Sequence, residues 1–122
     1  MTKSNDQAQT YLRCLNLVSA IRELPRLDAF EERVLKGLAS TWATGASITV
    51  LQAKVLTPDT SPTTMQRRLK SLRKLGLIDQ LEDQQNTRIK YVVATASGKA
   101  YFAKLGQCLD RATKGTWPPS YV

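Results

Sequence analysis

Basic side chains are concentrated between Ser61 and Ile78, a stretch of sequence that contains no acidic residue. The five cations of this stretch are Arg67, Arg68, Lys70, Arg73 and Lys74. Because a helix turns by about 100° per residue, the same stretch would also form an apolar stripe. That stripe consists of Met65, Leu69, Leu72 and Gly76. One helix face would therefore pack and the other would meet an anion, although charge alone leaves a merely solvated face as the alternative.

The anion that best suits such a helix is double-stranded DNA, because an α-helix fits the major groove with its first residues at base edges. Arg67 could bond both acceptors of a guanine, Gln66 could pair with adenine, and Thr64 could touch a thymine methyl group. The Ser61 hydroxyl and the first-turn amides could hold a phosphate. The predicted DNA-binding residues are Ser61, Thr63, Thr64, Gln66, Arg67, Lys70, Arg73, Lys74, Arg88 and Lys90.

Two further charged residues have structural interpretations. Arg68 lies nearer the apolar stripe than its neighbours do, so we expect it to pair with an acid on another helix rather than with DNA. Asp83 precedes Arg88 by five positions in a polar, turn-like segment. We expect its carboxylate to orient Arg88 across that loop.

The charge and composition of the chain limit its chemistry. The 122 residues carry a net charge of +8, which favours nucleic acid first and an acidic membrane surface second. The chain contains no histidine, which excludes histidine-based zinc sites, histidine general bases and Ser-His or Cys-His nucleophile pairs. Since no motif supplies another nucleophile or metal-ligand set, the sequence predicts a binding protein without enzymatic activity, cofactor or metal.

The two cysteines and the lack of targeting signals indicate a compartment. Cys14 and Cys108 form no C-x-x-C motif and suit a reducing cytosol; a redox role for either is left open. The polar N-terminus does not resemble a secretory signal. The sequence also lacks a run of 18 apolar residues, so it predicts no membrane-spanning helix. We therefore expect a cytoplasmic, nucleoid-associated protein with no membrane partner.

Two helices are predicted before the basic stretch. The first is capped by Asp6 and ends near Leu24, because Pro25 cannot continue a helix. The second begins at the capping-box pair Asp28 and Glu31. Its buried stripe is predicted to be Phe30, Val34, Leu38 and Trp42.

A short third helix and the basic helix follow. Residues 46–48 can form only a single bridge of sheet, and Thr49 is predicted to cap a helix over Val50–Leu56. After a turn at residues 57–60, Ser61 and Pro62 are a strong helix start. The basic helix is predicted to end at Leu75, with Gly76 as a left-handed cap.

The last third of the chain predicts a hairpin and a final helix. Leu77–Glu82 and Ile89–Thr95 flank a polar turn and read as two antiparallel strands. Arg88 and Lys90 would extend from this wing toward a minor groove. Thr95 or Ser97 then caps a helix, and the tail contains Gly115 and two prolines. The apolar stripe of this helix is Tyr101, Leu105, Cys108 and Ala112.

This order of elements predicts a mainly α fold with a small β-hairpin wing (α+β), a winged helix-turn-helix with N- and C-terminal dimerisation helices. We expect a single domain over residues 1–122. Its parts are an N-terminal dimerisation helix (1–25), a DNA-binding core (28–95), a C-terminal helix (96–114) and an irregular tail (115–122).

The motifs over residues 28–112 resemble the MarR family of bacterial winged-helix regulators. The similarity lies in Ser61–Leu69, in Leu72–Ile78, in the wing Asp83–Arg88 and in Val93–Gly98. The family wing usually carries Asp-x-Arg, whereas this chain has Asn86 before Thr87 and Arg88.

The resemblance implies a two-fold homodimer, built from residues 11–24 and 101–112, on a pseudo-palindromic operator. It further implies control of transcription, and in many relatives a small-molecule effector, here unidentified, releases DNA. We therefore predict a sequence-specific, dimeric DNA-binding transcriptional regulator. A plasmid, phage or replication accessory DNA-binding protein and a winged-helix protein-interaction module are the alternatives.

Overall fold

The computed structural model describes residues 3–114, and their side chains from Asp6 onward. The helices are α1 (Lys3–Ser19), α2 (Ala29–Ala43), α3 (Val50–Lys54), α4 (Pro62–Lys74) and α5 (Ala96–Thr113). The strands are β1 (Ile48–Thr49), β2 (Ile78–Glu82) and β3 (Lys90–Ala94). The described residues divide into two compact units: Pro25–Lys99 forms one, and residues 3–24 with residues 100–114 form the other. The predicted tail, 115–122, lies outside the described residues.

Helix α2 starts at the predicted capping box. The Asp28 carboxylate accepts the Glu31 N–H at 2.7 Å, and the Glu31 carboxylate accepts the Asp28 N–H at 3.1 Å. Val34 and Leu38 are fully buried, as the predicted stripe requires. Trp42 is half-buried and donates its indole N–H to the carbonyl of Val92 at 3.0 Å, which ties the end of α2 to the sheet.

Helix α3 is shorter than predicted. Thr49 and Gln52 form a capping box at its start, but the helix ends at Lys54 rather than Leu56. Only one and a half turns form, so the helix buries Ala53 while Leu51 remains 75% exposed. The preceding residues, Ile48 and Thr49, pair antiparallel with β3 and add a third strand to the hairpin.

Helix α4 has the predicted start and stop. Ser61 caps it, Pro62 occupies the first helical position, and Gly76 follows the C-cap residue Leu75 with φ of +81°. The Leu77 N–H bonds the Leu72 carbonyl and the Gly76 N–H bonds the Arg73 carbonyl, which is the Schellman arrangement. The predicted stripe is confirmed at Met65, Leu69 and Leu72, which are all buried, whereas its fourth member, Gly76, is exposed.

The wing is an antiparallel hairpin in a three-stranded sheet of order β1-β3-β2. Its register pairs Ile78 with Ala94 at the base and Glu82 with Lys90 near the tip. Both strands are shorter than predicted, because Leu77 belongs to the helix stop and Thr95 to the start of α5. The Thr95 hydroxyl accepts the Gly98 N–H at 3.0 Å, so Thr95 rather than Ser97 is the cap. The element order confirms the predicted mainly α fold with a β wing.

The unit formed by α1 and the greater part of α5 has a small core of its own. Leu17, Cys108 and Ala112 are buried together, and Cys14 packs against them. Arg13 donates to the carbonyl of Ala112 at 3.1 Å.

The predicted bounds of α1 are wrong at both ends. The helix begins at Lys3, which places Asp6 in the first turn, where its charge suits the helix dipole, rather than at the cap. It ends at Ser19 rather than Leu24, because the Ala20 N–H is shared by the carbonyls of Asn16 and Leu17 and the chain leaves the helix there.

Gly98 is the residue on which the start of α5 depends. A Cβ atom at this position would lie 2.1 Å from the backbone carbonyl oxygen of Leu77, which has no room to move without disturbing the helix stop. Gly98→Ala is therefore expected to lower the free energy of unfolding by about 2–3 kcal/mol, measured by urea denaturation.

Gly106→Ala is the matched control, because it makes the same change in the same helix with no atom within 4 Å of the added Cβ. It should raise the free energy of unfolding by about 0.5–1 kcal/mol. Equal effects of the two substitutions would contradict the close approach at Leu77.

Candidate nucleic-acid interface

The outer face of α4 is polar, exposed and rich in positive charge. Burial of Met65, Leu69 and Leu72 turns the opposite side of the helix toward solvent. The exposed residues of that side are Thr63, Gln66, Arg67, Lys70, Arg73 and Lys74. The structure therefore brings together the predicted residues of the basic helix on one surface.

The N-terminus of α4 uses the Ser61 side chain internally. Its hydroxyl accepts the Thr64 N–H at 3.2 Å and lies 3.0 Å from the Thr64 hydroxyl oxygen, to which it donates. Thr64 is half-buried, while Thr63 is exposed. Because the amide of Thr64 is already bonded, the amide of Thr63 is the better candidate for an anion at this helix start.

Only some of the cations on α4 are available to a ligand. The Arg73 guanidinium lies 3.2 Å from the carboxylate of Asp79 on β2, in an exposed ion pair. Among residues 6–114, no ion pair involves Arg67, Lys70 or Lys74. These three side chains, rather than all five cations of the basic stretch, form the available positive surface.

Arg68 has the structural role that its position predicts. Its guanidinium lies 2.7 Å from the carboxylate of Asp28 at the start of α2. The same group lies 5.2 Å from the centre of the Phe30 ring, within the range of a cation–π contact. The ion pair with the N-cap residue of another helix confirms the expected pairing of Arg68.

The wing loop is organised by Asp83. One oxygen of its carboxylate accepts the N–H groups of Gln85 and Asn86 at 2.8 and 3.1 Å, and the other accepts the Tyr91 hydroxyl at 3.1 Å. These bonds, with the backbone amides first, lower the pKa of Asp83 from its usual 3.8. The hydrogen bond to Asp83, followed by the negative charge of that carboxylate, raises the pKa of Tyr91.

The expectation that Asp83 orients the Arg88 side chain is wrong. Both Asp83 oxygens are engaged by other groups, and no ion pair joins Asp83 to Arg88 in the described part of the chain. Asn86 takes a different role, since its side-chain oxygen accepts the backbone N–H of Arg88 at 3.1 Å. The loop therefore fixes the backbone at Arg88 and leaves its guanidinium exposed.

Residues near the tip of the wing meet α3 in a cleft that the sequence does not predict. Arg88 and Lys90, both predicted site residues, line it from the wing, and Leu51 lines it from α3. Ile89 and the start of α3 complete the lining. In the predicted helix Leu51 and Val55 share one face, but the observed α3 ends at Lys54 and is too short to bury Leu51.

Two other kinds of site do not occur in the described residues. Within residues 3–114 no group of three or more Cys, Asp or Glu side chains is placed to hold a metal ion. None of the helices described here combines the length and apolar character needed to span a bilayer.

The wing loop gives a prediction about pH. Because the pKa of Asp83 is lowered in the fold, its stabilising bonds are complete above the usual value of 3.8 and are lost as the pH falls through the lower, folded value. Tyr91→Phe removes one donor, so the pKa of Asp83 should rise but stay below 3.8, since the backbone donors Gln85 and Asn86 remain. An NMR titration of the Asp83 carboxyl carbon measures this, and an unchanged pKa in Tyr91→Phe would contradict the bond.

The comparisons with known proteins concern the fold. No protein-family model matches the sequence, and no curated protein was found to be similar to it. Solved structures do match. S. aureus MepR bound to ethidium bromide gives a TM-score of 0.68 with 19% identity, covering 95% of this chain and 81% of that chain.

Two further structures agree. A transcriptional regulator from Thermotoga maritima gives a TM-score of 0.63 with 13% identity, covering 93% of this chain and 73% of that chain. A mutant MarR from E. coli, complexed with operator DNA, gives 0.56 with 19% identity, covering 92% and 77% of the two chains. This chain thus has the winged-helix fold of the MarR-like transcriptional regulators, as the motifs in its sequence predict.

Proposed function

We propose that this protein is a homodimeric, sequence-specific double-stranded-DNA-binding transcriptional regulator that acts on a pseudo-palindromic operator. The observation that carries the proposal is the outer face of α4, where Arg67, Lys70 and Lys74 are exposed and without acidic partners in the described residues. A surface of this kind on a helix that is backed by a core suits the major groove.

The residues divide by their place along α4. Thr63, Gln66 and Arg67 lie at its start and would read base edges, with Thr64 beside them at the protein surface. The later side chains Lys70 and Lys74 would contact phosphates, and Arg73 would do so by exchanging Asp79 for a phosphate. The capped start of the helix, at Ser61 and the Thr63 amide, would hold one more phosphate.

The wing would supply the second contact. The loop bonds of Asp83 and Asn86 hold the backbone while the guanidinium of Arg88 stays exposed. An arginine on such a loop is suited to a narrow minor groove, whose negative potential attracts it. Lys90, which lies opposite Glu82 in the hairpin, would contact the DNA phosphate backbone next to that groove.

The dimer is proposed from exposed apolar side chains in the unit that contains α1 and most of α5. Tyr11, Leu12 and Leu15 of α1 are 65%, 50% and 44% exposed, and Leu109 of α5 is 55% exposed. Several large apolar side chains exposed within one small unit favour a surface that is buried by association, and a two-fold dimer is the simplest association. Two reading helices related by such an axis would lie one DNA turn apart, ~34–36 Å.

The remaining parts of the proposal follow from the operator model. The protein would act in the cytoplasm, on the nucleoid, without enzymatic activity. MarR of E. coli is described in complex with operator DNA, and MepR of S. aureus with ethidium bromide. By analogy with the ethidium complex, this protein would also bind a small molecule, and we propose that such a ligand acts as its effector.

Selection of a random duplex library on the purified protein tests the proposal. At near-physiological salt we expect enrichment of a two-fold symmetric site, because the α4 helices of the two protomers must contact their half-sites at the same time. Sedimentation of the same sample should show a dimer. A strict monomer at tens of micromolar would contradict the operator model. Binding whose affinity falls as salt rises and that enriches no sequence would also contradict it, and would favour an accessory DNA-binding role. Absence of all binding would favour the protein-interaction module.

Two substitutions on α4 separate base reading from phosphate contact. Arg67→Ala should weaken binding to the selected duplex by about 1–3 kcal/mol and relax the preference at one position. Lys74→Ala, on the same face about two turns later, should weaken binding to all duplexes alike and reduce the salt dependence. Fluorescence anisotropy with selected and scrambled duplexes measures both, and equal losses on every duplex for both variants would remove Arg67 from base reading.

A further inference from the structure

Two polar contacts join the start of α2 to α4. They lie beside the outer face of α4, which is proposed to contact bases. The Arg68 guanidinium lies 2.7 Å from one carboxylate oxygen of Asp28. One turn further along α4, the Ser71 hydroxyl donates to a carboxylate oxygen of Glu31. Both acids belong to the capping box of α2, so one structural feature contacts α4 at two successive turns.

Each carboxylate divides its two oxygens between the cap and α4. Asp28 uses Oδ1 for the Glu31 N–H and Oδ2 for Arg68. Glu31 uses Oε1 for the Asp28 N–H and Oε2 for Ser71. Glu31 is only 8% exposed, so its bonds are shielded from water and their loss would leave an unpaired buried acceptor.

The Phe30 ring completes the contact. The guanidinium of Arg68 lies 5.2 Å from the ring centre and that of Arg33, a residue of α2, lies 5.6 Å from it. Arg68 is therefore held by an ion pair and by a ring at once. Arg33 shares the ring but makes only a 3.9 Å contact with Asp59, which lies outside α4.

These contacts can fix the rotation of α4 about its axis. The apolar side chains beneath the helix select which face points inward, but their attraction is not strongly directional, so they tolerate small rotations; hydrogen bonds and ion pairs are directional. Arg68 and Ser71 directly follow Arg67 and Lys70 in sequence and belong to the same rigid helix. A small rotation of α4 at Arg68 and Ser71 would therefore turn the outer face of the helix by the same angle.

We propose that Asp28 and Glu31, acting through Arg68 and Ser71, set the rotation of α4 and so determine which bases it reads. Arg68 and Ser71 are then positioning residues rather than DNA contacts. The inference rests on the proposed function for its effect on DNA, although the orientation of α4 can be measured without DNA.

Asp28→Asn is the most informative variant. Asparagine is a good helix cap, so α2 can still begin at the same residue, but the charge that holds Arg68 is gone. We expect the ratio of affinities for selected and scrambled duplexes to fall about tenfold, with affinity for the scrambled duplex retained. If Arg68 were instead a phosphate contact, its release from Asp28 would strengthen binding to both duplexes and leave the ratio unchanged, which would overturn the proposal.

Ser71→Ala and Arg33→Gln complete the set. Ser71→Ala should lower the same ratio, because Glu31 loses its bond to α4. Arg33→Gln is the matched control: it removes a cation from the same ring and leaves the contacts of Arg68 and Ser71 in place, so the ratio should stay within about twofold of wild type. If the two contacts were purely structural, Asp28→Asn and Ser71→Ala would lower the melting temperature, but the ratio of affinities for selected and scrambled duplexes would match that of the wild type. This result too would overturn the proposal.

Residual dipolar couplings of the backbone amides provide the measurement without DNA. In Asp28→Asn, the couplings of residues 62–74 should no longer fit the wild-type orientation of α4 relative to α2. Couplings that fit the wild-type geometry would overturn the proposal whatever the DNA results. If the wild-type protein selects no sequence, the operator model fails by itself, and the couplings still decide whether the capping box orients α4.

Discussion

The burial of three side chains beneath α4 is the constraint on which the rest of the structure depends. Met65, Leu69 and Leu72 lie on one stripe and are almost completely buried. Burial of one such side chain contributes about 1.5–3 kcal/mol, so the helix has one strongly preferred inner face. Every polar residue of the opposite face must then point to solvent. The exposed cations of α4 are thus a consequence of packing as much as of composition.

The helix stop after α4 also determines where the wing begins. Gly76 ends α4 in a left-handed conformation, and its carbonyl accepts a hydrogen bond from the hydroxyl of Thr95, the residue that follows β3. The Thr95 N–H bonds the carbonyl of Leu77, and Gly98 packs against the same carbonyl. One short joint therefore connects the end of α4, both ends of the hairpin and the start of α5. These contacts attach the base of the wing directly to the end of α4, as the proposed DNA-binding surface shared by the two elements requires.

Ion pairs divide the basic stretch into two groups with different roles. Arg68 is bound by Asp28 and Arg73 by Asp79, whereas Arg67, Lys70 and Lys74 have no acidic partner among the described residues. The Asp28 pair is itself partly exposed, but the Phe30 ring gives Arg68 a second contact, so Arg68 is the more firmly held of the two. The Arg73 pair is exposed on both sides, and such pairs contribute little and exchange partners readily. The surface offered to an anion is thus narrower and better defined than the charge count suggests.

Local features of the chain were predictable because they depend on neighbours in sequence. The caps at Asp28, Thr49 and Ser61, the stop at Gly76 and the apolar stripe of α4 follow from side-chain chemistry within a few residues. Contacts between distant segments were not predictable in detail. The pairing of Ile48–Thr49 with β3, the partner of Arg73 and the exposure of Leu51 all depend on which segments meet in space. The sequence by itself determined the elements and the outward face of the basic helix. Only the tertiary structure decided which of its cations are available, because an ion pair forms between groups that folding alone brings together.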